Sequence, residues 1–112
     1  MNSQTFVDVI RKVVLDAAVM GTLETLSDPP GRRPSPELRR VSDWYKTLSE
    51  NDRLMLEASI AMAARSAVFG FLSVLDGARA IEGGPEKGHL VLEYRRNDRS
   101  VPLTNSSLHE ML

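Results

Sequence analysis

The chain has 112 residues, with 14 Lys and Arg against 15 Asp and Glu and a hydrophobic content of 42%, which excludes a disordered or strongly charged protein and fits one compact domain spanning 1–112. There is no cysteine, so disulfide scaffolds, thiol nucleophiles and thiolate metal sites are excluded as well. At 12.4 kDa the chain is expected to remove roughly 66% of its unfolded surface from water, enough for a core of its own.

From Ser3 to about Leu26 the apolar positions Phe6, Ile10, Val13, Ala17 and Met20 follow three- and four-residue steps, which predicts a first helix with Val7, Val14 and Ala18 widening its stripe. Asp28-Pro29-Pro30-Gly31 ends it, because neither proline donates to a helical ladder, and the segment 27–36 reads as an internal linker. Ser35-Pro36 combines a serine cap with proline at the first helical position, and Leu38, Val41, Tyr45 and Leu48 continue at helical spacing into a second helix, with Trp44 at its edge. Ser49 followed by Asp52 is an acidic variant of the capping box and opens a third helix that runs to Asp76, where Gly77 supplies a left-handed stop. Within it, Ala58 to Leu75 is just long enough for a membrane span, but much of it is alanine and serine rather than leucine and Arg65 at its centre costs about 2.5 to 3.5 kcal/mol on the insertion scale. The third helix is therefore expected to be the buried core helix of a cytoplasmic protein, and the N-terminus, interrupted by Asp8, Arg11, Lys12 and Asp16, reads as no secretion signal.

The last third changes to a period of two. Leu90, Leu92 and Tyr94 alternate with Val91, Glu93 and Arg95, and Asn97-Asp98 makes a two-residue turn into Arg99 to Thr104. That turn pairs Arg96 with Arg99, Tyr94 with Val101 and Leu92 with Leu103, placing the apolar residues of both strands on one face. Pro102 makes the return strand an edge. An earlier strand near Arg79 to Glu82, joined through the loop Gly83 to Gly88, would complete a meander, and Asn105 to Leu112 reads as a short helix with Leu108, Met111 and Leu112 inward. The expected class is α+β: three helices, a small antiparallel meander of two to three strands, and a short C-terminal helix.

Two isolated charges stand out. Arg65 is the sole charge between Glu57 and Asp76, and Asp16 the sole one between Lys12 and Glu24. They are expected to meet as a buried ion pair, to pair with Glu82 or Glu93 in the hairpin, or to hold an anionic ligand. The same helix carries a small-residue stripe, Ser59, Ala63, Ser66, Gly70, Ser73 and Gly77, which suits close packing within the chain or against a second copy in a homodimer. Residues 31–48 hold Arg32, Arg33, Arg39, Arg40 and Lys46 against two acids, a local +3, while 1–30 and 49–77 each sum to -2. Arg95, Arg96 and Arg99 cluster at the hairpin tip, where like charges opposed across strands repel and an acidic partner would relieve them.

Catalytic signals are thin. His89 and His109 lie outside any metal-ligand spacing, Leu108-His109-Glu110 sits where a chain end frays, and no nucleophile elbow or phosphate loop is present. No catalytic residue, metal or cofactor is expected, and enzyme activity is disfavoured. The run Phe69-Gly70-Phe71-Leu72-Ser73-Val74-Leu75-Asp76-Gly77, with Ala80-Ile81-Glu82, Leu103-Thr104-Asn105 and Leu108-His109-Glu110, resembles the C-terminal half of small uncharacterised bacterial proteins, some of them similar to toxin-immunity proteins. The resemblance covers packing and turn residues and implies no catalytic or binding position. The sequence thus favours a non-catalytic cytoplasmic protein acting by stoichiometric protein binding, of immunity or regulatory type. The alternatives are a nucleic-acid-associated regulator using Arg32, Arg33, Arg39, Arg40 and Lys46, and a small-ligand sensor or enzyme with a pocket near Arg65.

Overall fold

A computed structural model describes residues 1–112. The predicted first helix is one continuous rod of three segments, α1 (Ser3–Ile10), a π-helical segment (Arg11–Asp16) and α2 (Ala17–Ser27). The Asn2 side chain caps it by accepting from the Thr5 N–H at 2.8 Å. Of the expected stripe, Phe6 and Ile10 are half-buried, whereas Val13, Ala17 and Met20 are exposed and the buried positions are Val7, Leu15 and Leu26. The π turn is the reason. It takes up more residues than an α turn, so every side chain beyond Arg11 is rotated relative to the 3.6-residue phase.

The second and third predicted helices are α3 (Pro36–Thr47) and α4 (Glu50–Leu75). Both start on the expected serines: Ser35 accepts from the Leu38 N–H at 3.2 Å and Ser49 from the Asp52 N–H at 3.1 Å. Gly77, at φ 83°, stops α4 in the left-handed conformation, and the Arg79 N–H folds back to donate to the Ser73 carbonyl at 2.9 Å. The buried Ser42 hydroxyl ties α3 to the end of α2 by donating to the Leu26 carbonyl at 2.7 Å, and the Arg53 guanidinium lies 5.0 Å over the Tyr45 ring to link α3 and α4.

The hairpin forms in the predicted register. β1 (Glu93–Arg96) pairs antiparallel with β2 (Arg99–Pro102), setting Arg96 against Arg99 and Tyr94 against Val101, and the Leu103 N–H extends the pairing to the Leu92 carbonyl at 2.8 Å. Asn97 and Asp98 have φ of 49° and 62°, the two positive values of a type I′ turn. The sheet has two strands, so the lower of the two expected counts is correct and the third strand near Arg79 to Glu82 does not form. Ile81 is the one large apolar residue there and is exposed. The loop is closed instead by Glu82, whose carboxylate accepts from the Gly88 N–H at 3.0 Å. The C-terminal element is a 3-10 turn, Leu108–Met111.

The core is centred on Val7, Leu72 and Leu108, with Phe6, Val68, Leu75, Met111 and Leu112 packed around them. The C-terminal turn is thereby wedged between α1 and α4, and Arg11 and Arg65 donate to the main-chain oxygens of Met111 and Leu112 at 3.0 and 2.9 Å. This core is small. The folded chain exposes 8283 Å², against about 18,000 Å² when unfolded, so about 54% of its surface leaves water in place of the expected 66%. The expectation that α4 is a buried core helix fails for the same reason: only Gly70, Leu72 and Ser73 are buried along it, and its most apolar 18-residue window, long enough to cross a membrane, is 17% buried. Within one chain, α4 is fully buried only near its C-terminal end.

Candidate functional site

The hairpin tip opposes two exposed cations across paired strands. The type I′ turn matches the right-handed twist of the strands. At the tip, Arg95 is held by Glu93, its Nη2 3.1 Å and its Nε 3.2 Å from Oε2. Arg96 and Arg99 are exposed, directly opposed, and without a carboxylate at ion-pair distance. Alternation of the strands gives the tip two concave faces. One, of about 540 Å³, has Tyr94 and Val101 beside Arg96 and Arg99, and reaches Met1. The other, of about 620 Å³, has Glu93, Arg95 and Ser100 beside the same two arginines and no apolar residue. Each strand of a two-stranded sheet also has one open edge of unpaired backbone groups.

Arg65 and Asp16 are both exposed and form no ion pair with each other or with Glu82 or Glu93, so the buried-pair reading is corrected. Arg65 is reached instead by the C-terminal turn, through its bond to the Leu112 oxygen. Arg32, Arg33, Arg39, Arg40 and Lys46 are all exposed, with Glu37 and Asp43 interspersed on the same helix and linker. The small-residue stripe divides. Ser59, Ala63 and Ser66 are exposed, whereas Gly70 and Ser73 are buried. Arg79 accounts for the glycine: a Cβ on Gly70 would lie 2.6 Å from Arg79 Nη1, so the close approach is to a side chain of the same protein.

A buried polar cluster lies in a place the sequence marks as fraying. Asp76 Oδ2 is 2.6 Å from His109 Nδ1 and accepts from the His109 N–H at 3.1 Å, while Oδ1 accepts from the Ala78 N–H at 3.0 Å. The Asp76 side chain is 2% exposed. Burial pushes its carboxyl up, but the His109 side-chain bond, the two backbone N–H groups and the charge of the imidazole outweigh burial and hold it below the ordinary value. Phe69 packs edge-on against the imidazole with ring centroids 5.4 Å apart. Ser73, one turn before Asp76 on α4, donates its hydroxyl to the Phe69 carbonyl at 2.9 Å. The pair fixes the C-terminal turn to the end of α4. The signal that could have found it is Asp76 immediately before the glycine stop, where a carboxylate can gather the backbone donors that follow a helix. No group of three or more metal-ligating side chains is present.

Comparison with protein-family models, with curated proteins and with solved structures gives no match.

Proposed function

We propose that this chain is a small non-catalytic cytoplasmic protein that acts by stoichiometric protein–protein binding, in an immunity or regulatory role. The observation that carries the reading is Arg96 facing Arg99 at the tip of an open-edged hairpin. Like charges directly opposed across strands destabilise the hairpin that bears them, and a carboxylate from a partner would relieve both at once. The open strand edges offer main-chain pairing to the same partner, and Tyr94 and Val101 offer it an apolar foothold. The partner this surface fits is an acidic protein.

The test is a substitution that improves the hairpin while removing the binding chemistry. Arg96→Glu exchanges a repulsive cross-strand pair for an attractive one, worth about 0.2–1 kcal/mol to the hairpin. The variant is expected to keep or raise the thermal midpoint and to lose one-to-one capture of an acidic protein by the full chain, with capture by the wild type weakening as salt increases. Capture that survives Arg96→Glu and Arg99→Glu overturns the reading. Retention on heparin that depends on Arg32, Arg33, Arg39, Arg40 and Lys46 transfers the function to nucleic acid.

A further inference from the structure

The amount of surface left uncovered is itself informative. A folded monomer of this mass exposes about 6,100 Å² by the usual scaling, whereas this chain exposes 8283 Å². The radius of gyration is 18.4 Å, where a compact chain of this length has about 13 Å. The excess is about 2,200 Å² per chain. The exposed loop from Gly77 to Val91 accounts for part of it. The excess is about twice the roughly 1,000 Å² per partner of a permanent dimer interface, with the exposed hairpin tip drawing on the remainder together with the loop.

Where that surface lies is visible on the rod and α4. Along one side of the pair runs a groove of about 280 Å³ lined by hydrophobic residues alone, among them Phe6, Ile10 and Val14 from the rod and Val68, Phe71 and Leu75 from α4. Phe71, in its wall, is 63% exposed. A projecting aromatic ring beside an apolar hollow on the same two helices is a self-complementary shape, since a two-fold axis places each copy's Phe71 in the other's groove. The groove carries no charge that would select an unlike partner. A chain with so small a core needs cover that is present whenever the chain is, and a second copy meets that condition.

We propose that the groove between the rod and α4 is the interface of an obligate homodimer, seated on Phe71. This goes beyond the hairpin reading and does not rest on it; the hairpin tips stay free on each copy. It places the interface on the Phe71 face of α4, not on the small-residue stripe, whose end Arg79 already covers.

The full chain is expected to scatter light as a particle of twice 12.4 kDa, and its thermal midpoint should fall by about 6 °C on hundred-fold dilution, given ordinary unfolding enthalpies for a dimer of this size. Phe71→Ser and Val14→Ser should each weaken association at least ten-fold, while Met62→Ser, at a side chain 71% exposed elsewhere on α4, should leave it unchanged. Should the groove variants fail to fold, the concentration dependence of the wild type still decides the matter. A monomer whose midpoint is independent of concentration overturns the proposal, as does a dimer that survives both groove substitutions. So does a chain that floats as a monomer with vesicles of phosphatidylcholine and anionic phosphatidylglycerol, which would assign α4 to lipid.

Discussion

Asp76 is a carboxylate taken out of water and repaid by three hydrogen bonds, one from the Ala78 N–H just beyond α4 and two from the backbone and imidazole of His109 in the C-terminal turn. Its pKa in the folded chain is lowered, so the stability it contributes is fully present above the ordinary carboxylate range and is lost as pH falls through the lowered value. Asp76→Asn keeps the shape and removes the charge. It is expected to cost about 1–3 kcal/mol at neutral pH, with the gap to the wild type closing in acid, as read by denaturant titrations across pH. Arg65 is a contrasting residue. A guanidinium in an apolar stretch of sequence suggests burial against a carboxylate, but the helix around it is exposed, so Arg65 stays solvated and needs only the Leu112 oxygen. The sequence pattern identifies the isolated charge. It cannot reveal that the surrounding apolar face is uncovered.

At the scale of elements, what was legible followed from local chemistry. The serine caps at 35 and 49, the glycine stop at 77 and the Asn97-Asp98 turn each satisfy backbone groups within a few residues, and all appear as expected. The missing third strand and the π segment depend on distant packing, and neither was legible. A strand near Arg79 to Glu82 would need a neighbour to pair with and a core to face, and Ile81 has neither. The π segment holds one residue more than an α-helical path between Val7 and Leu15 would use, because eight residues separate two buried positions that seven would align in an ideal helix. Deleting the exposed Val13 should therefore convert the segment to α-helix with both leucine and valine still inward. Thermal unfolding of the deletion variant is expected within about 1 kcal/mol of the wild type, a small change on the usual scale of mutational effects, with helical circular dichroism retained. A comparable deletion in the middle of α4 would rotate Leu72 away from Val7.

For the whole molecule, the decisive contacts join the two ends of the chain. Val7 near the start, Leu72 late in α4 and Leu108 in the last turn make up the fully covered apolar cluster, and the Ser3 hydroxyl adds a bond to the Leu103 carbonyl at 3.1 Å. Leu108→Ala is expected to cost about 2–5 kcal/mol, as for other fully buried leucines, and to release the C-terminal turn from α1 and α4 together; protection of its amides from hydrogen exchange would report that release. The candidate hairpin surface was legible as a charge cluster with the right register. The apolar groove was not, because it is made of side chains that a one-dimensional stripe assigns to the interior.

The position of Leu108 sets an order of events during synthesis. A ribosome making this chain completes the rod and then α4 before it adds the residue that locks them together. Through that interval the groove and the long apolar helix α4 stand open together, and a message truncated ahead of the last turn would yield a product without the Leu108 contact that joins α1 to α4.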